Sequence, residues 1–193
     1  MTPLEERIGY KFRNSLLLAE ALTHPSLGHE AQRYHFDYQR LEFLGDAVLQ
    51  LVITEHLFSH FQAEAEGQLT KLRSRLVSRE ALRAHAAALD LGRYILMGRG
   101  EESSGGRGRT STLADAFEAL IGAIYLDGGL EAAKDFILTQ TRSDLEQLAD
   151  DLKKSIRTRQ AEQVRLGEHG PHRERLRQEQ RLLRQILKKL SGS

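Results

Sequence analysis

The chain has 193 residues, 40% of them hydrophobic, which is enough to bury the core of one ordinary domain with a small appendage. Lys and Arg number 28 against 27 Asp and Glu, so net charge carries no information about nucleic acid; only local charge could. The absence of cysteine excludes disulfides and thiolate metal sites and fits a reducing compartment.

The N-terminus, MTPLEERIGYKF, has no apolar segment of the signal-peptide kind. The longest apolar stretches, AVLQLVI and ALIGAIYL, fall far short of the roughly 20 residues that span a bilayer. A soluble, cytoplasmic protein with no membrane partner is expected.

Proline occurs only at Pro3, Pro25 and Pro171, and the long stretches between are rich in Ala, Leu, Glu, Arg and Gln, which favours helix. No run alternates cleanly with period two, so an all-α fold is predicted. In chain order, a helix is expected over 15–22, ending at the turn Thr23-His24-Pro25-Ser26. A long apolar helix follows over 38–60. Glu66-Gly67 reads as a break, with helices over 68–77 and 79–89 and a stop at Gly92. Residues 98–108, GRGEESSGGRG, are too rich in Gly and Ser for a packed element and read as a flexible loop. A helix over 111–126 closes at Asp127-Gly128-Gly129, and a last core helix is expected over 130–148. A domain boundary falls near residue 150. Beyond it the composition turns to Arg, Gln and Glu, with a narrow apolar stripe over 173–190.

Two segments carry chemistry. In Arg40-Leu41-Glu42-Phe43-Leu44-Gly45-Asp46, the acids Glu42 and Asp46 lie four apart and share a helical face. In Asp115-Ala116-Phe117-Glu118 the spacing is three, again one face. Both pairs sit among Leu, Ile, Val and Phe. Two carboxylates in such a setting repel and lose hydration, so a compensating positive charge is needed. If the two faces meet, four oxygen-donor side chains suit a hard cation such as Mg²⁺. The plainer alternative is an ion-pair network, with Arg40, Arg73 and Arg75 as partners.

RLEFLGDAVL closely resembles the signature of the ribonuclease III family, and LADAFEALIGAIYLDGG resembles its second acidic motif. ALTHPS at 21–26, LTKLRSRLVS at 69–78 and GRGEESSGGRGR at 98–109 agree in order, so the likeness covers about residues 3–148. It implies an all-helical endonuclease domain, a homodimer that forms a valley for double-stranded RNA, and a metal-dependent site. The implied products carry a 5′-phosphate and a 3′-hydroxyl, in processing of ribosomal, messenger or small RNA. The cofactor would be Mg²⁺, with Mn²⁺ as a substitute. By position, Glu42, Asp46, Asp115 and Glu118 match the four metal-binding acids, with Asp46 and Glu118 the most essential. Glu66 matches an auxiliary acid at the dimer valley, and Phe43 an aromatic that enters the partner subunit. Gln39 stands where many members have Glu.

Read without the resemblance, Phe43 would belong to the core and Glu66 to a solvated turn. Arg99, Arg107 and Arg109 are candidate phosphate contacts on and just after the 98–108 segment. His24 reads as structural, bonding within its turn. No ligand spacing with carboxylates is visible for His29, His35, His56, His60, His85, His169 or His172, and no chemistry is assigned to them. After Asp150 no β-rich segment is visible. Residues 151–193 are therefore expected to be a charged, partly helical tail in place of a complete double-stranded RNA-binding domain. Two rival functions are a non-catalytic double-stranded RNA-binding protein of the same fold and a Mg²⁺-dependent nucleotide pyrophosphohydrolase. RLEFLGDAVL speaks against the second.

Overall fold

The computed structural model describes residues 1–31, 36–62 and 64–165. Among them the elements are α1 (Pro3–Ile8), α2 (Ser15–Ala21), α3 (Pro25–Ala31), α4 (Gln39–His60), α5 (Glu66–Leu76), α6 (Arg79–Ala88), α7 (Arg99–Ser103), α8 (Thr110–Gln140) and α9 (Arg142–Arg165). Two 3₁₀ turns, Leu91–Tyr94 and Gly106–Gly108, complete the set. The only strand-type pairing among the described residues is one isolated parallel bridge between Thr23 and Leu96. The fold class is all-α, as the absence of period-two patterning predicts. The chain divides into two units, Met1–Leu145 and Glu146–Ser193.

Local chemistry sets several of these boundaries. Thr2 and Glu5 form a reciprocal capping box at the start of α1, with Pro3 at the first helical position. Asn14 caps α2 through Leu16 N–H, and Ser78 caps α6 through Ala81 N–H. Asp127, only 6% exposed, accepts hydrogen bonds from the Tyr10 hydroxyl at 2.7 Å and from the Arg13 and Asn14 amides at 2.9 Å. Burial alone would raise its pKa, but those three donors and the Arg13 charge hold it below the ordinary value. This carboxylate thus pins the segment between α1 and α2 to α8.

Inside the first unit, α4 lies along α8, and α6 and α2 also pack on α8. Leu49, Val52, Ile53 and Leu57 of α4 meet a core that includes Phe117, Leu120, Ile121 and Ile124 of α8, all nearly inaccessible to water. The two helices touch backbone to backbone. A Cβ placed on Gly45 would overlap the Glu118 carbonyl, and one on Gly122 would overlap the Leu41 carbonyl. Only hydrogen at both positions lets the axes approach this closely.

Several boundaries differ from expectation, each for a physical reason. Glu66-Gly67 does not break a helix but opens α5; the non-helical chain lies before it, and an acid in the first turn favours the helix N-terminus. Pro25 starts α3, an element the turn motif hid, because proline suits a first helical position. The stop after α6 comes at Asp90, whose φ of 56° is left-handed, two residues before Gly92. The 98–108 segment is not a loop: it folds into α7 and a 3₁₀ turn. Its own charges pair to hold it, Arg107 to Glu102 at 2.7 Å and Arg109 to Glu101 at 2.6 Å. The expected 111–126 and 130–148 helices run together as α8, bent at Gly129, whose φ of 82° and ψ of −176° suit glycine. The second part ends at Gln140, and α9 begins at Arg142. The expected helix over 173–190 lies outside the described residues.

Replacing Gly45 or Gly122 by Ala is expected to destabilise the protein by about 1–3 kcal/mol, the ordinary cost of overpacking, because backbone rather than a yielding side chain stands in the way. Urea unfolding of each variant against wild type measures this.

Candidate metal centre

The crossing of α4 and α8 brings the two acidic pairs to one place. Gly45 lies between Glu42 and Asp46 on α4, and its contact on α8 is Glu118 itself. One carboxylate oxygen each from Glu42, Asp115 and Glu118 lie within 4.8 Å of one another, and all three residues are half-buried. Asp46 stands one turn along α4 from Glu42, is exposed, and accepts a long hydrogen bond from Gln50 Nε2 at 3.4 Å. It lies outside the tight group of three, yet its charge acts on both Glu42 and Glu118.

Glu42, Asp115 and Glu118 all have raised proton affinity. Burial pushes Glu118 up to about 8, with the charges of Asp46, Glu42 and Asp115 adding to it. Glu42 is raised by burial and then by Asp115. Asp115 is raised by burial, opposed by Arg79 and His24. Among the described residues no Lys or Arg makes an ion pair with any of the four acids. Arg40 acts on Glu20 instead, and Arg73 donates to the Thr54 hydroxyl at 3.1 Å, so the ion-pair network considered above does not form with these arginines. Among the described residues Arg79, the first residue of α6, favours the charged form of Glu42, Asp115 and Glu118. Tyr38, buried at the start of α4, feels both Asp115 and Glu42.

A cluster of carboxylate oxygens with raised proton affinity that, among the described residues, forms no ion pair with Lys or Arg suits a divalent ion of the hard, oxygen-preferring kind. Glu42, Asp115 and Glu118 are the residues that could hold it, with Asp46 one turn along α4 from Glu42.

Other expected residues fall elsewhere. Phe43 is 83% exposed, which rules out a place in the core of this chain. Glu66 is not part of the cluster; it accepts from the Thr70 hydroxyl at 2.8 Å and borders a groove of about 440 Å³ lined also by Leu57, Phe58, Leu69 and Arg73. Arg107 and Arg109 serve the internal ion pairs described above, and Arg107 also donates to the Gly92 and Ile95 carbonyls. His24 is structural as expected: its Nδ1 lies 2.8 Å from the Ser26 hydroxyl, and its ring packs edge-on against Tyr38. Arg79 and Tyr38 were missed because neither stands in an acidic motif. Only the proximity of α6 and of the α4 start to α8 reveals them.

Fold and site together define an all-α protein with an acidic cluster able to hold a divalent cation. The family described as Ribonuclease-III-like matches residues 14–145. Ribonuclease 3 of Desulforamulus reducens is 56% identical over 136 residues, which is 70% of this chain and 55% of that protein. Ribonuclease 3 of Caldanaerobacter subterraneus subsp. tengcongensis is 44% identical over 171 residues, 88% of this chain and 75% of that protein. Among solved structures, the nuclease domain of Ribonuclease III from Campylobacter jejuni, described for flexibility in its dimer-forming region, superposes with a TM-score of 0.69. It is 45% identical and covers 73% of this chain and 95% of that one. Dicer from Pichia stipitis gives a TM-score of 0.53 at 26% identity, over 71% of this chain and 58% of that one. The chain belongs to the ribonuclease III family. It spans about half the length of several curated relatives it matches, 55% in the case of the D. reducens protein.

The raised pKa of Glu118 has a consequence for stability. An acid whose folded pKa lies above its unfolded value contributes stability that is complete below the unfolded pKa, 4.5, and is lost as pH rises toward about 8. In chelator-containing buffer, Glu118→Gln should therefore melt higher than wild type at about pH 9, and the gap should close toward about pH 5. Thermal melts across that range test the sign.

Proposed function

We propose that the chain is a divalent-metal-dependent endoribonuclease that hydrolyses phosphodiester bonds of double-stranded RNA, leaving 5′-phosphate and 3′-hydroxyl ends, in the processing of ribosomal, messenger or small RNA. The catalytic domain is taken as residues 1–150. The observation that carries this is the convergence of Glu42, Asp115 and Glu118 from two helices, with Asp46 one turn away. Glu42, Asp46, Asp115 and Glu118 would hold Mg²⁺, with Mn²⁺ as a substitute. Bound there, the ion supplies Lewis-acid stabilisation of phosphodiester oxygens and a more acidic water.

The side chains themselves account for the remaining demands of the reaction. Glu118, with its raised proton affinity, would have to be deprotonated to hold the ion, so binding would tighten as pH rises. Arg79 offers positive charge to a phosphate that approaches the acids. Arg99, Arg107 and Arg109 are proposed as further phosphate contacts, with Arg107 and Arg109 also tying their own segment. Recognition by A-form shape and 2′-hydroxyls needs no base contacts.

A homodimer fits the surface of α4. Phe43, Ala47, Leu51, Thr54 and Phe58 recur at helical spacing and are all exposed, with Phe43 at 83%, Leu51 at 56% and Phe58 at 72%. The groove bordered by Phe58 and Leu69 is apolar enough to receive an aromatic ring, and an isologous pair would seat Phe43 of each subunit in the other. Glu66, on the groove, would then lie at the joint between subunits.

Cleavage of a long RNA duplex with Mg²⁺, and not in EDTA, is the expected result. Asp46→Asn and Glu118→Gln should each lower the rate about 10²-fold or more. Cleavage that persists in EDTA, or in the double variant, would overturn the mechanism. Phe43→Glu should shift the protein from dimer to monomer in sedimentation velocity, since the aromatic burial is lost and a carboxylate would have to be desolvated in a mostly apolar groove. A wild-type monomer at micromolar concentration would refute the dimer.

A further inference from the structure

The turn Thr23-His24-Pro25-Ser26 does more than end α2. The Ser26 amide donates to His24 Nδ1 at 3.1 Å, and the Ser26 hydroxyl stands 2.8 Å from the same nitrogen. An amide N–H only donates, so Nδ1 keeps its lone pair and the proton of the neutral ring sits on Nε2. The Ser26 hydroxyl accepts from the Gly98 amide at 2.9 Å, which leaves its own hydrogen for Nδ1. Backbone bonds hold the turn on both sides, from His24 N–H to the Leu96 carbonyl at 2.8 Å and from Tyr38 N–H to the Thr23 carbonyl at 3.0 Å. The ring packs edge-on against Tyr38, with centroids 5.6 Å apart. Tyr38 stands one turn before Glu42, whose amide donates to the Tyr38 carbonyl at 2.8 Å. His24 is thus fixed in place and in tautomer beside the start of α4, with Nε2–H on the side of the ring away from Ser26. The charges that act on it are Glu101, Arg109, Asp115 and Asp37. Glu101 is bound to Arg109 at 2.6 Å, and Asp37 accepts from the Gln39 amide at 3.0 Å. Asp115 and His24 act on each other, and among the described residues Asp115 accepts no hydrogen bond.

We propose that His24 is a positioning residue for the acidic centre: its fixed Nε2–H, acting through a bridging water, steadies the Asp115 carboxylate for the bound ion. This rests on the reading that the acids hold a divalent metal. A carboxylate that ligates a metal is itself held by hydrogen bonds from groups behind it, and His24 is the neutral donor placed to do this for Asp115. Both residues are half-exposed, so water reaches the space between them. A neutral donor suits the task. A full positive charge beside Asp115 would compete with the ion, whereas an N–H dipole orients the carboxylate and leaves its charge for the metal. The bonds through Ser26 and Gly98 are what keep that donor on Nε2; without them the ring is free to carry its proton on Nδ1 instead.

The test is equilibrium dialysis of the full chain against Mn²⁺, comparing wild type with His24→Ala, His24→Gln and Ser26→Ala. Both His24 variants lose the ring contact with Tyr38, and only Gln keeps an N–H donor near the place of Nε2. His24→Ala is expected to weaken Mn²⁺ binding by about tenfold or more, and His24→Gln to restore most of that loss. A ring that serves packing alone would give equal losses in the two. Ser26→Ala keeps the ring and is expected to weaken binding less than His24→Ala, with the Nδ1–H form now populated in imidazole nitrogen NMR. Metal-free wild type should show the Nε2–H form in the same spectrum. Binding in His24→Ala as tight as in wild type, equal losses in the Ala and Gln variants, or an Nδ1–H ring in wild type overturns the proposal and leaves the metal reading standing. Wild type that takes up no Mn²⁺ overturns both. If His24→Ala does not fold, Ser26→Ala decides, since binding weaker than wild type supports the proposal and equal binding overturns it.

Discussion

Everything in the candidate centre depends on the contact between α4 and α8 at Gly45 and Gly122. With a side chain at either glycine, the helices would be held apart by at least a methyl group, and Glu42 would draw away from Asp115 and Glu118. The contact also explains why the acids sit in apolar surroundings. A crossing this tight is sealed by Leu41 and Val48 on one helix and Leu113, Phe117 and Ile121 on the other, all buried. The same packing that drives folding therefore strips water from the carboxyls.

That arrangement stores unfavourable electrostatics where a cation can relieve it. Glu118 is the most affected because burial strips its water and acids from both helices flank it, and Arg79 offsets this only in part. Asp127 shows the opposite use of a buried carboxylate in the same chain. It is satisfied by three hydrogen bonds and held below its ordinary pKa, so it serves packing and leaves no demand for a metal. Burial alone does not separate the two roles; the presence or absence of donors does.

Helix α4 distributes its duties around its circumference. One face carries Leu49, Val52, Ile53 and Leu57 into the core, another turns Glu42 toward Asp115 and Glu118 with Asp46 at its edge, and a third exposes Phe43, Leu51 and Phe58. A helix apolar on several sides has little net amphipathic direction, and this is why Phe43 could be placed in the core or at a surface from its neighbours alone.

The sequence by itself determined the all-α class, the extent of α2, α4 and α6, and the two acidic pairs, because helical periodicity and i,i+3 or i,i+4 spacing are local properties. Resemblance to the family joined the pairs before any coordinates did so. Tertiary structure decided the rest. It drew Glu42, Asp115 and Glu118 together and left Asp46 at the edge, brought Arg79 to the acids, and exposed Phe43. It also turned a Gly- and Ser-rich stretch into α7 through ion pairs between residues five and eight apart. These outcomes rest on contacts between segments distant along the chain, or on charges whose partners are set by the folded path, and no local pattern encodes them.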